Sequence, residues 1–417
     1  MTIKAELSRR QMLAAGGAAG AVGLLGGSLP AWAATDVTYW HHMTSQSEFA
    51  GLAGIMENFH AANPEINILQ ENIPNAEYMA MFTSAVIADS RPDTCMVTSD
   101  RLPDMVALGG LVDLTDRING WDKTQFYSDA AWDGITFDDQ MYGIPAFSFV
   151  NWMYYRKDWL EEAGLEPPDT FEEFLEAAIA ITDPSQGRYG FGLRGGDGGQ
   201  TMLQDVFDSY GAFDYDNGSI AINVPNAVEA MRFYTGLLTE HQVAQPSAAG
   251  DSYRQIMEGF RTGQTGMVWH HTGSLAEISD ALSPDQFGTA LRPSGPAGRI
   301  ARVSYLYNGI MNPRLEDDGW QWIAHWGDVD AAITMLEATG YFPATSEVAD
   351  DPRITSNPLY EAAVQSLAIG VPLPKIVGLA GWMRTSMLPE FQRVLVGTAT
   401  PEEAVDAMAQ ALDREVN

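Results

Sequence analysis

Short apolar runs and longer stretches of helical periodicity alternate along the first third of this chain. Asp36–Trp40 (DVTYW) reads as a strand. From Ser47 to Ala62, Phe49, Leu52, Ile55, Met56 and Phe59 fall at helical spacing, and Asn63-Pro64 ends that run. Ile66–Gln70 predicts a second strand, Tyr78–Asp89 a second helix and Thr94–Thr98 a third strand. A short helix over Leu102–Leu108 stops at Gly109-Gly110. Such β-α-β-α-β alternation signals a parallel sheet with helices on its faces.

The run from Ile144 to Tyr155 is almost wholly apolar, which suits a strand buried on both faces, as in a parallel sheet. Two short helices follow around a proline loop. In the second, Thr170 stands as N-cap with Glu173 three residues on. Further along, Phe191–Arg194, Thr265–Trp269, Phe287–Arg292 and Val303–Asn308 read as strands. Asn217-Gly218 reads as a hairpin turn and Gly195–Gln200 as a glycine-rich loop opening a helix. Helices are expected over Asn226–Thr239, Asp251–Arg261, Trp320–Trp326, Ala331–Thr339 and Pro401–Glu415.

The ends add an address. Ser8-Arg9-Arg10-Gln11-Met12-Leu13, an uncharged Ala/Gly/Leu run and Ala31-Trp32-Ala33 together read as a cleaved export signal of twin-arginine type. Residues 1–33 are therefore set aside, and the mature chain is expected in the periplasm. The formal charge is −32, and because Lys4, Arg9 and Arg10 outweigh Glu6 in the leader, the mature part is more acidic still. Nucleic acid and anionic membrane surfaces are poor partners for such a chain. The one cysteine, Cys95, sits in an apolar strand and reads as a core residue. The remaining roughly 380 residues exceed one hydrophobic core and predict two domains without a long linker.

Several segments carry a resemblance. "YGIP" followed by "YYRKDWLEEAGL" and "PPDTFEEF", "YRQIMEGFRTGQTGMVWHHTGSL", "ALRPSGPAG", "GYFPATSEV" and "LVGTATPEEAVDAMAQAL" occur here in an order and spacing that resemble the family 1 extracellular solute-binding proteins of ABC importers, the maltose-binding-like group. The resemblance implies a two-lobed α/β fold, each lobe a mostly parallel sheet flanked by helices, with a ligand cleft at the hinge. It places the N-lobe at 34–146 plus 308–326 and the C-lobe at 147–307 plus 327–417, with Tyr142–Pro145 as the hinge crossing. It implies a monomer that binds a small molecule, closes over it and docks on membrane permease subunits, with no cofactor and no catalysis.

Candidate ligand contacts follow from a general rule: in an open α/β sheet, ligands sit beyond the carboxyl ends of strands. Those positions hold Trp40, His41, His42, Thr44 and Ser45; Asp100 and Arg101; Phe147 and Asn151; Trp269, His271 and Ser274; and Tyr305, Tyr307 and Asn308. Gly195 joins them, as a glycine that lets a ligand or the other lobe approach the backbone. Rings beside Asp, Asn, Arg and His suit a sugar, whose C–H face stacks on an aromatic and whose hydroxyls need paired donors and acceptors. By resemblance, Asp100 and Arg101 match a maltose-binding "HDRF" segment, and Trp382 and Arg384 in "LAGWMRTSMLPEF" stand in a late ligand-contacting segment.

Other readings of the same residues exist. Asp100 serves equally as a helix N-cap. The pairs His41-His42 and His270-His271 suggest zinc, but neighbours on a strand face opposite ways and no further ligands stand at metal spacing, so no metal is expected. Gly190–Gly195 fits GxGxxG formally, with the glycines along a strand rather than in a strand-to-helix turn. "YWHHM" resembles the "WHSM" of glycerol-3-phosphate-binding members, which opens an alternative ligand: an anionic glycerol or sugar derivative, such as a sulfonated glycoside, met by Arg384. A secreted glycoside hydrolase using two carboxylates is a third class, opposed by the domain organisation.

Overall fold

Three parallel strands start the molecule. In the structure, a computed structural model that describes residues 34–216, 219–348, 351–372 and 374–416, β1 (Thr35–His41) lies between β2 (Ile66–Asn72) and β3 (Thr94–Thr98). The expected leader at 1–33 and the expected turn at Asn217-Gly218 fall outside the described residues; strands Phe213–Asp216 and Ser219–Ile222, which flank 217–218, pair antiparallel. The connections run through α1 (Gln46–Ala62) and α2 (Tyr78–Ile87). α1 begins one residue earlier than its apolar spacing suggests, because Ser45 and Glu48 form a complete capping box. Its buried face is Leu52, Ile55 and Phe59, as the spacing predicts.

The apolar run at 144–155 becomes a 13-residue strand, Ile144–Arg156. At about 3.3 Å per residue it spans roughly 43 Å, enough to traverse the molecule. Its first half pairs with strand Ala301–Ile310, from Asn308↔Ile144 to Val303↔Val150. Its second half pairs with Thr265–His271 and with Phe287–Ala290. All these pairings are antiparallel, not parallel as expected. The apolar run reported burial on both faces, and burial says nothing about the direction of neighbours. The second crossing strand, Ala301–Ile310, also runs antiparallel to β3 over Leu306–Ile310, and its register against Ile144–Arg156 shifts between Leu306 and Tyr307.

Two lobes result, each with its own core. In the first, Trp322 and Trp326 pack at angles against Tyr39, and Trp322 against Phe59 as well. In the second, Phe171, Phe174, Phe191 and Tyr234 surround Trp269. Thr170 caps its helix as predicted, accepting from the Glu173 backbone, and Pro401–Glu415 forms over the predicted residues. Strand Tyr189–Phe191 ends where a strand was expected to begin, leaving 192–198 as loop. Helix Val329–Thr339 serves both lobes: Ala331 and Met335 pack into the first core, Ile333 and Leu336 into a cluster of the second.

Candidate functional site

Where the two crossing strands pass between the lobes, aromatic and polar side chains gather around one region. From the first crossing strand, Phe149 meets the His271 ring at 4.8 Å and the Tyr341 ring at 4.7 Å. The His271 ring in turn stacks on Tyr253 at 5.9 Å and lies 4.1 Å from His270. Tyr341 donates its hydroxyl to Glu48 Oε1 at 2.7 Å, joining the start of α1 to the segment after helix Val329–Thr339. Beside this cluster, between the start of α1 and helices Tyr253–Arg261 and Leu275–Ala281, opens a groove of about 1070 Å³ that reaches Tyr253.

A charged group adjoins the rings. Arg194 Nη1 lies 3.3 Å from His270 Nε2, which must accept, so the His270 proton sits on Nδ1. Arg194 also donates to the Asp197 carbonyl at 2.8 Å, and Arg384 Nη1 donates to the Asp197 carboxylate at 3.0 Å. Gly198, at φ +84°, makes room: a Cβ there would stand 1.8 Å from Arg194 Nη2. From the first lobe comes Arg101, whose Nη2 donates to Asn75 at 2.6 Å and whose guanidinium covers the Tyr78 ring. His42 packs on that same ring, 5.2 Å away.

These groups hold one another away from their ordinary protonation. Burial first, then Arg101, His41 and Arg384, keeps His42 well below the usual histidine range. Burial, His271 and Arg194 do the same to His270, and burial with Arg194 takes His271 down to about 3. Burial lowers Arg194 to about 10 and also lowers Arg101, on which Arg384 acts in the same direction. All three histidines are neutral at pH 7.

Several contacts join the lobes beside this region. Arg254 donates to the Thr44 carbonyl. Lys375 reaches Asp133 Oδ1 at 2.8 Å and the Thr136 carbonyl at 3.1 Å, and the Gly378 amide donates to Asp104 at 2.9 Å.

The residues expected in the cleft divide sharply. His42, Asp100, Arg101, His271 and Arg384 come together here through the charges of Arg101, Arg194 and Arg384, whereas Asn151 is turned onto Asp205 at 3.2 Å and Tyr305 packs against the buried clusters of the first lobe. Thr44 contributes its carbonyl to Arg254, and Ser45 is the α1 cap. Ser274 is fully buried behind Tyr253, to which its hydroxyl donates at 3.3 Å. The others are packed away. Trp269 is a core residue of the second lobe, and Trp382 is buried with its Nε1 on the Met408 carbonyl at 3.2 Å. Trp382 and Arg384 lie two apart on helical turns, nearly on opposite faces, so only one of them can reach the cleft. Trp40 is buried and donates to Glu71 at 2.9 Å, and His41 is turned onto Gln70 at 2.6 Å. Phe147 stacks face to face on Tyr341 within the first core. Tyr307 is buried, and Asn308 accepts from the Tyr39 hydroxyl at 2.8 Å. Gly195 packs on Ala248, where a Cβ would sit 2.6 Å from the carbonyl oxygen, so it serves the loop rather than a ligand. Asp100 caps nothing; the following helix takes Arg101 as its N-cap residue, without a side-chain bond. Among the described residues no three His, Cys, Asp or Glu side chains converge as a metal would require.

Residues 44–312 match the model of a protein family described as bacterial extracellular solute-binding proteins. The chain belongs to that family. Among relatives of this solute-binding protein, a maltotriose-binding protein of Pyrococcus abyssi is 23% identical over 81% of this chain and 73% of its own. A mannitol-binding protein of Pseudomonas aeruginosa is 27% identical over 68% and 71%. Among solved structures, the GacH receptor of Streptomyces glaucescens, determined unliganded and with acarbose, superposes with a TM-score of 0.83 at 20% identity, covering 92% of this chain and 98% of that one. A solute-binding protein of Thermotoga lettingae bound to α-D-tagatose matches with TM-score 0.83 at 21% identity, over 92% and 100%. The fold is thus that of two-lobed binding proteins.

Arg194, Asp197, Tyr253 and Tyr341 of this binding protein are absent from the positions predicted by strand ends. Arg194 precedes the glycine-rich loop and Asp197 lies within it, and that loop drew attention only for its glycines. Tyr253 opens a helix, and Tyr341 sits two residues before Pro343 in "GYFPATSEV". Phe149 had a local signal, since it shares a strand face with Phe147 and Asn151.

Proposed function

We propose that this protein is the periplasmic binding component of an ABC importer, which captures a sugar or small oligosaccharide between its lobes and delivers it to membrane permease subunits. The observation that carries this reading is the cluster of rings and polar groups where the crossing strands pass between the lobes: Phe149, Tyr253 and His271 supply partly exposed rings for C–H surfaces, and Arg101 and Arg384 supply donors. Relatives named for maltotriose and mannitol support a carbohydrate. The N-lobe comprises 34–146 with 308–326 and the C-lobe 147–307 with 327–417, with helix Val329–Thr339 packed on both. The crossing strands act as the hinge. Ligand bridging the lobes favours the closed form, and that form is what the permease recognises. The leader at 1–33 directs export and is then removed, and the mature protein acts as a monomer. No bond of the ligand is made or broken.

Isothermal titration calorimetry of the mature chain against maltose, maltotriose, mannitol and tagatose tests the reading, with X-ray scattering before and after ligand. A binding isotherm together with a smaller radius of gyration is expected. Binding of amino acids or peptides in place of every carbohydrate overturns it.

A further inference from the structure

Resting on the carbohydrate reading, we infer that the ligand carries an oxyanion, gripped by Arg101 from one lobe and Arg384 from the other. Three guanidinium groups, Arg101, Arg194 and Arg384, act on one region, where Asp100 and Asp197 are the acids that act on Arg101. Arg101 is 6% exposed. Its bonded partner, Asn75, is neutral, no carboxylate among the described residues lies within ion-pairing distance of it, and its Nη1 has no hydrogen-bond partner. His270 Nδ1, which carries the proton, is buried and equally unpartnered.

Such an arrangement is costly unless something completes it, because a buried cation with an unpaired donor and no direct ion pair loses hydration without full compensation. A shortage of acids does not explain it: this chain has 55 acidic residues against 23 lysines and arginines. The buried Arg292 and Arg302 of the second lobe are both paired with Asp205, so the fold neutralises buried arginines where they serve packing. Arg101, beside the cleft, has no acid among the described residues within ion-pairing distance, and Asp100 and Asp197 act on it only from further away.

Arg384 already has a counter-ion, but an exchangeable one. Its pair with Asp197 is 31% and 40% exposed at the two side chains and holds weakly. A phosphate, sulfonate or carboxylate offers two or three acceptor oxygens to Arg384 and to the free Nη1 of Arg101 together, and charge-assisted bonds of this kind are the strong ones. Because Arg101 belongs to the first lobe and Arg384 to the second, the oxyanion also draws the lobes together. The net negative charge of the chain opposes approach only over about a Debye length, roughly 8 Å at physiological salt.

The test is calorimetry on the mature chain with matched pairs: glucose against glucose 6-phosphate, methyl glucoside against its 6-sulfate, glucose against glucuronate, and glycerol against glycerol 3-phosphate. The charged member of at least one pair is expected to bind about tenfold or more tighter. Arg384→Gln should abolish that preference without moving the melting temperature, and Arg101→Gln should do the same if it still melts cooperatively. Neutral sugars binding as well as their charged partners overturn the inference and leave the carbohydrate reading standing. Glycerol 3-phosphate binding where no sugar binds supports the oxyanion and overturns the carbohydrate. A charge preference that survives Arg384→Gln overturns the assignment of the grip.

Discussion

Arg384 Nη1 and Asp197 Oδ1 lie 3.0 Å apart and tie the widened turn Met383–Met387 to the loop that opens helix Gly199–Ser209. Turns of π type interrupt helices most often at functional sites, and this one aims Arg384 away from the core that holds Trp382. The ion pair is half exposed, so it adds less than about 1 kcal/mol to stability. Asp197→Asn should therefore leave urea denaturation nearly unchanged. It should strengthen binding of an acidic ligand several-fold by freeing Arg384, and calorimetry on the variant checks both halves.

The Tyr341 hydroxyl on Glu48 Oε1 is a different kind of bond. Both residues are buried, and the other carboxylate oxygen already accepts from the Thr44 and Ser45 amides at 2.8 and 2.7 Å. Tyr341→Phe removes one donor from a buried carboxylate and should cost about 1–3 kcal/mol in chemical denaturation. Because the Tyr341 ring also faces Phe149 and His271, ligand affinity should change little if the ring alone matters, and calorimetry separates ring from hydroxyl.

Asp205 sits on helix Gly199–Ser209 and holds both crossing strands. It accepts from Asn151 on the first at 3.2 Å and from Arg302 on the second at 3.0 Å, and it pairs with Arg292 as well. Replacing it leaves the buried Arg292 without its carboxylate and Arg302 with Asp208 alone. Asp205→Asn is expected to destabilise by about 3–5 kcal/mol, measured by urea denaturation. An unchanged midpoint would show that solvent reaches the cluster.

The histidines set a pH dependence with a definite sign. His42, His270 and His271 have folded values below the unfolded 6.5, so the folded state binds fewer protons than the unfolded one. Their contribution is fully present above pH 6.5 and is lost as pH falls, for His271 down to about 3. Each such group steepens the decline by up to about 1.4 kcal/mol per pH unit. His271→Gln should flatten the stability profile between pH 6 and pH 4, as read by denaturation at half-unit steps.

What was legible in the amino-acid order was local. The Thr170 cap, the apolar stripe of α1 and the start of the last helix at Pro401 each depend on residues within one or two turns, and each formed where the pattern placed it. The direction of the crossing strands was not local, since it depends on partners up to about 216 positions away in the chain, such as Ile310 opposite Thr94. The site was half legible for the same reason. Strand ends marked His42, Arg101 and His271, but the same rule marked Trp269 and Tyr307, because a strand end does not say which side chains the core needs. Arg194 reaches His270 and Tyr341 reaches Glu48 through side chains whose destinations depend on tertiary packing, and no spacing announces them.

The contacts that join the lobes offer the last prediction. Lys375 spans from the second lobe to Asp133 and the Thr136 carbonyl of the first, and Arg254 reaches the Thr44 carbonyl on another side. Both are surface contacts, so neither should matter for the folding of either lobe. If the crossing strands act as a hinge, these contacts bias the equilibrium between open and closed forms, and their loss reduces apparent affinity by the fraction of closed protein lost. The double variant Lys375→Ala, Arg254→Ala should keep its melting temperature within a few degrees. Without ligand, its radius of gyration in X-ray scattering should exceed that of the parent. With saturating ligand the two should coincide, while the dissociation constant rises several-fold. A variant that scatters like the parent in both states would place the control of closure in the strands themselves.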